Sequence, residues 1–161
     1  MNARCGHCPP LTLGLAQMRR AHILLGQGKL DAARRQLSTA TAVTPEDKVQ
    51  LVIAEAGLLR EAKQAEVAFE LLEKALAGQP EDPDYLYETA LFAERLGRME
   101  VLEKHLRKLI ALRPDNAQAY NALGYSYADR NIRLPEAREL IEKALGRPIE
   151  AVFAQFDADP V

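Results

Sequence analysis

The stretch Asn121-Ala-Leu-Gly-Tyr-Ser-Tyr-Ala-Asp-Arg130, carried on by Arg133-Leu-Pro-Glu-Ala-Arg138 and Ile141-Glu-Lys-Ala-Leu145, decides the fold, because its landmarks recur upstream at one fixed step. Counting back from Gly124, small residues stand at Ala90, Ala56 and Ala21, at intervals of 34, 34 and 35. The same walk from Ala137 meets Leu102, Ala68 and Ala33, and from Ala144 it meets Leu109, Ala75 and Ala40. Pro114, Pro80 and Pro45 close the three preceding units, each followed by acidic or amide residues. Four series in one register make an internal repeat, and a period of this length belongs to stacked supersecondary units.

Each unit reads as two helices. Apolar residues fall at helical spacing over Leu15–Leu25 and Leu30–Val43, then over Val49–Arg60 and Ala65–Leu76, and again over Leu86–Leu96 and Met99–Leu112. The boundaries carry matching chemistry. Thr44-Pro45-Glu46-Asp47 and Asp82-Pro83-Asp84 set a capping oxygen before a first-turn proline and then acid, which suits the positive end of a helix. Gly26-Gln27-Gly28 breaks the first hairpin, and Gly97 supplies a left-handed helix end. An alanine or glycine at each crossing lets paired helices approach closely, while Leu37, Leu72, Leu106 and Ile141 are expected to fill the interior.

At Tyr120-x2-Leu123-Gly124-x2-Tyr127, followed by Ala137-x3-Ile141, the chain resembles the tetratricopeptide-repeat family. The first three units keep the period, the small positions and the closing proline, but not the Leu-Gly pair. The resemblance covers about Gly14 to Leu145 and implies an all-α, right-handed superhelical solenoid of about four antiparallel helix hairpins. Repeats are expected at about 14–48, 49–82, 83–116 and 117–147, within a solenoid spanning 13–146. Residues 1–12 read as a flexible N-terminal tail, and 147–161 as a partial cap or a truncated end. The stretch from Asn121 to Leu145 is also similar to a segment of bacterial envelope tetratricopeptide proteins. That likeness implies a bacterial scaffold or adaptor binding a protein or peptide.

Composition narrows the alternatives. The 161 residues are 48% hydrophobic and 27% charged, with a net charge of -2 and no tryptophan, ordinary for a folded helical chain without a basic field for nucleic acid. No apolar run approaches the roughly 20 residues that span a bilayer, so direct membrane insertion is not expected. Arg4, with Pro9 and Pro10 interrupting a weak apolar stretch, makes no signal peptide. The chain reads as cytoplasmic as it stands, or periplasmic or outer-membrane-associated if a targeting segment lies upstream. Nothing in the sequence speaks to oligomeric state.

Chemistry-bearing motifs are few. Cys5-Gly6-His7-Cys8 matches, as letters, the disulfide isomerase active site, which needs its first cysteine at a helix N-terminus after a strand. It also resembles half a zinc site, for which a second cysteine pair is missing. The plain reading is a tail with two thiols; the other two make a thiol-redox or metal-binding protein the alternative function. No phosphate loop, paired histidines or nucleophile elbow occurs, so no catalytic residue, metal ligand or cofactor is assigned. His105, beside Leu102 and Leu106, is expected at the surface or its boundary.

In the family, first helices line a concave groove. One face of each carries Leu15, Met18, His22 and Leu25; Gln50, Ile53, Gly57 and Arg60; Asp84, Tyr87, Leu91 and Glu94; and Gln118, Asn121, Tyr125 and Ala128, at steps of three and four. From these, with Arg95, the expected partner-binding residues are Met18, His22, Ile53, Arg60, Tyr87, Leu91, Arg95, Asn121 and Tyr125. Leu25, Ile53 and Leu91 have the alternative of packing against neighbouring first helices. Met18 and His22 stand where chaperone-binding relatives carry lysine and asparagine, which argues against recognition of a chaperone's acidic C-terminus.

Overall fold

The computed structural model describes residues 11–42 and 44–146, with side chains from residue 16 onward. Eight helices occupy them: α1 (Leu11–Gly26), α2 (Leu30–Ser38), α3 (Pro45–Glu61), α4 (Ala65–Gly78), α5 (Pro83–Arg95), α6 (Met99–Leu112), α7 (Ala117–Asp129) and α8 (Leu134–Leu145). No strand occurs among the described residues. The chain divides into two compact units at the Gln79–Pro80 bond. In the first, α1 pairs with α2 and α3 with α4, and α3 also touches α1 and α2; in the second, α5 pairs with α6 and α7 with α8, and α7 also touches α5 and α6. Cys5, Cys8 and residues 147–161 lie outside the described residues. α1 begins at Leu11, two residues inside the expected tail.

Each hairpin turns on a left-handed residue. These are Gly28 (φ 75°), Lys63 (φ 60°), Gly97 (φ 71°) and Asn131 (φ 56°), spaced 35, 34 and 34 apart. The amide after each one donates back into the helix just ended: Lys29 to the Leu24 carbonyl at 2.9 Å, Gln64 to Leu59 at 2.8 Å, Arg98 to Ala93 at 2.8 Å and Ile132 to Tyr127 at 2.9 Å. This closure satisfies carbonyls that the helix end would leave bare. Lysine at position 63 accepts a backbone conformation that costs an L-residue roughly 1–2 kcal/mol, so the turn is imposed by the repeat and not by local preference.

The other ends are capped by side chains. Thr44 and Asp47 form a reciprocal box, with the Asp47 amide donating to Thr44 Oγ1 at 3.1 Å and the Thr44 amide to Asp47 Oδ2 at 2.9 Å. Asp82 Oδ1 accepts from the amides of Asp84 at 3.0 Å and Tyr85 at 2.9 Å, and Asn116 Oδ1 accepts from Ala119 at 3.0 Å. Each cap is worth about 1 kcal/mol. α2 stops at Ser38, short of the expected Val43. The Ser38 and Thr39 hydroxyls both donate to the Arg35 carbonyl, at 3.2 and 2.7 Å, and this local bonding competes with continuing the helix.

The repeated small residues sit at the crossings. Ala21, Ala56, Ala90 and Gly124 are all buried, as are Ala33, Ala68, Leu102 and Ala137. In the first unit Ala21, Ala33, Leu37, Leu51 and Leu58 make one cluster. Leu72 and Leu106 are fully buried as expected, whereas Ile141 is only half-buried. Thr89, fully buried in α5, has no hydrogen-bond partner for its hydroxyl.

At the crossing of α7 on α8 there is no room for a side chain. A Cβ at Gly124 would stand 2.8 Å from Ile141 Cγ1 and 2.9 Å from the Ala137 carbonyl oxygen, whereas one at Gly57 would meet nothing within 4 Å. Gly124→Ala should therefore lower stability by about 1–3 kcal/mol through overpacking, while Gly57→Ala raises it by up to about 1 kcal/mol through helix propensity. Urea unfolding of the two variants against wild type checks both signs.

Candidate functional site

In the first unit the candidate residues diverge in environment. Met18 is partly buried against the Ala21–Leu58 cluster, as is Leu25, so both contribute chiefly to the core. His22 is exposed on α1, with Nδ1 3.7 Å from Glu61 Oε2 at the end of α3. The imidazole therefore faces the end of a neighbouring first helix. Ile53 is half-buried and Arg60 exposed, both on α3, with the open Cα of Gly57 between them.

In the second unit each first helix carries one of the two candidate tyrosines. Tyr87 and Leu91, one turn apart on α5, are half-buried. Asn121 and Tyr125, one turn apart on α7, are exposed, and Tyr125 keeps 63% of its surface in solvent. That is the most exposed large apolar side chain among the described residues, on a helix whose Leu123 and Tyr127 are fully buried. Burial first, then the Glu88 and Glu94 carboxylates, push the Tyr87 hydroxyl above its usual pKa, so it stays a neutral donor. Arg95 is exposed at the end of α5.

Two residues of α7 and its C-terminal end that hold Glu94 escaped the sequence reading. Ser126, fully buried, donates its hydroxyl to Glu94, and Arg130 Nη1 lies 3.7 Å from the same carboxylate. Glu94 of α5 is thereby tied to α7 at Ser126, the residue after Tyr125. The only available signal was the placing of a serine on the buried side of α7.

A second polar cluster joins α6, α7 and α8. Arg107 donates to Glu103 at 2.8 Å, to Glu136 at 2.6 Å and to the Tyr127 hydroxyl at 3.1 Å. Arg133 donates to Glu103 at 2.7 Å and to the Tyr127 hydroxyl at 3.1 Å, with its guanidinium 5.4 Å from the ring centre. Burial pushes the Glu103 carboxyl up, but these donors outweigh it and hold it below its usual pKa. Tyr127 thus fills the core with its ring and fastens three helices with its hydroxyl. His105, half-buried on α6, has its pKa lowered by burial and by Lys104 and Lys108, so it stays largely neutral near pH 7.

The model of the tetratricopeptide repeat matches residues 18–70, 53–101 and 103–152. The chain belongs to the tetratricopeptide-repeat family. It is 43% identical over 129 residues to a tetratricopeptide-repeat-containing protein of Pseudomonas aeruginosa, a match covering 80% of this chain and 22% of that protein. The chain therefore spans about a fifth of the length of this curated relative. Its fold is similar to the crystal structure of MamA, with a TM-score of 0.61 and 18% identity, over 88% of this chain and 81% of that one. A tetratricopeptide-repeat protein from Parabacteroides merdae matches with a TM-score of 0.65 and 17% identity, over 89% of this chain and 58% of that one. These structural likenesses speak to fold alone.

Among the described residues, no group of three or more His, Cys, Asp or Glu side chains is placed to hold a metal, and no helix is long and apolar enough to cross a membrane. Cys5-Gly6-His7-Cys8 lies outside the described residues. The Ser126–Glu94 bond gives this tetratricopeptide-repeat unit a direct test. Ser126→Ala should cost about 1.5–3 kcal/mol, the usual worth of a hydrogen bond to a charged group. Thermal melting of the variant beside Ser126→Thr, which keeps the hydroxyl, checks it.

Proposed function

We propose that the chain is a protein-interaction scaffold that binds a peptide or protein segment along the face of its first helices, with Tyr87 and Tyr125 as the anchors. The carrying observation is the exposure of Tyr125 one turn from Asn121 on α7, with Tyr87 and Leu91 half-buried on α5. Such a face offers rigid aromatic area with hydrogen-bonding groups at its edge, the composition that supplies most binding energy at interfaces. Repeats of this family bind protein partners in general, which supports the same class of function. Arg95 supplies positive charge for an acidic residue of the ligand. In the first unit, taken by itself, Ile53, Arg60 and His22 offer a corresponding face, while Met18 contributes through the packing that holds α1.

The energetic ranking follows from burial. An anchoring aromatic typically costs at least about 2 kcal/mol when truncated, whereas an exposed ion pair is worth under about 1 kcal/mol. Peptides selected from a random displayed library against the whole chain provide the ligand. Their affinity should fall by roughly thirtyfold or more for Tyr87→Ala with Tyr125→Ala, and by less than about fivefold for Arg60→Ala. Helical content measured by circular dichroism should stay unchanged in both. Equal affinity for wild type and the double tyrosine variant would place the binding surface elsewhere.

A further inference from the structure

The second unit holds a cleft formed chiefly by its second helices, apart from Tyr87 and Tyr125. The backbones of α6 and α8 each pack on α7 and do not meet one another. Between them lies a cleft of about 270 Å³, walled by Ile110 and Ala111 of α6 and by Leu140 of α8, with Tyr120 supplied by α7. Pockets that take whole small molecules are larger, roughly 300–1,000 Å³, so this volume suits a single large side chain.

Charge is distributed unevenly around this apolar interior. Arg107 and Glu136 bridge α6 and α8 at 2.6 Å, and Arg107 is also held by Glu103, so this end is satisfied within the chain. Glu139 and Lys143, one turn apart on α8, are the other charged residues of the cleft. Glutamate four residues before lysine is the favoured order for an ion pair along a helix. Here Lys143 lies instead over the Tyr120 ring, with Nζ 5.8 Å from its centre, and Glu139 has no ion partner among the described residues. The lip therefore presents two opposite charges held apart, with apolar surface beside them. We propose that this cleft is a docking site separate from the first-helix face, taking one leucine- or phenylalanine-sized side chain of a partner polypeptide that carries a basic residue on one side of it and an acidic residue on the other. The apolar side chain rests on Ile110, Ala111 and Leu140, the basic residue pairs with Glu139, and the acidic residue pairs with Lys143. Both lip charges are exposed, so they select the segment while the apolar side chain supplies most of the affinity.

The probe is the capped tripeptide acetyl-Lys-Phe-Glu-amide, titrated into the whole isotopically labelled chain and followed by NMR. It should shift the amides of Ala111, Leu140 and Lys143 saturably, with a dissociation constant of roughly millimolar order. Acetyl-Lys-Ala-Glu-amide should bind about tenfold more weakly, through loss of the apolar side chain. Ala111→Phe, which fills the cleft from an exposed position on α6, should weaken the phenylalanine peptide by about tenfold or more. Glu139→Lys should reverse the charge preference, making acetyl-Glu-Phe-Glu-amide the tighter ligand by roughly threefold. The absence of saturable shifts at these amides would overturn the inference, as would shifts centred on Tyr87 and Tyr125 or equal affinity for the phenylalanine and alanine peptides. Unchanged affinity in Ala111→Phe, with helical content intact, would do the same. Should that variant unfold, Glu139→Lys decides, and an unaltered preference there sinks the proposal.

Discussion

Close approach of paired helices at one small residue per hairpin is the constraint on which the rest depends. Ala21, Ala56, Ala90 and Gly124 let a neighbouring helix pack against backbone, and the interior leucines then reach across. Once that crossing is set, the loop between the two helices has a fixed span, and every loop closes with a left-handed residue at the same place. Lys63 and Asn131 adopt this conformation although neither is glycine. Packing therefore dictates the turn. With the inward side committed to the crossing, the opposite side of each first helix is left for something else.

The period was legible because small residues and prolines cannot be exchanged freely at crossings and helix starts. Met99–Leu112 coincides with α6, where the apolar spacing is unbroken. Sequence patterning lost its grip where local hydrogen bonding intervened: α2 ends at Ser38 because two hydroxyls capture one carbonyl. Gly26-Gln27-Gly28 and Gly97 announced their turns. Lys63 and Asn131 did not, since nothing in a lysine signals positive φ. Ile141 carries the right residue type at the right position, yet is only half-buried where Leu106 is fully buried.

Candidate site residues were legible only as a face. Helical spacing placed Met18, His22, Ile53 and Tyr125 on equivalent stripes, but spacing cannot tell which neighbour covers which side chain. Met18 turned out to be packed into the first unit's cluster, while Tyr125 remained largely in solvent. Ser126 and Arg130, which hold Glu94, were invisible because a helix-to-helix hydrogen bond leaves no mark on local sequence. The Tyr127 cluster is the instructive contrast. The aromatic position belongs to the repeat pattern, but its hydroxyl partners are Arg107 of α6 and Arg133, the residue just before α8. A pattern residue that packs and one that also bonds look alike until the fold is built.

The constraint on helix crossings admits a direct measurement at Ala90, where the side chain is fully buried and the pattern allows no larger residue. Equilibrium urea unfolding of Ala90→Leu should show a loss of about 1–3 kcal/mol, because added methylenes must displace the paired helix. The same stability for Ala90→Leu and wild type would show that the small repeated positions do not set the crossings, and would contradict the account.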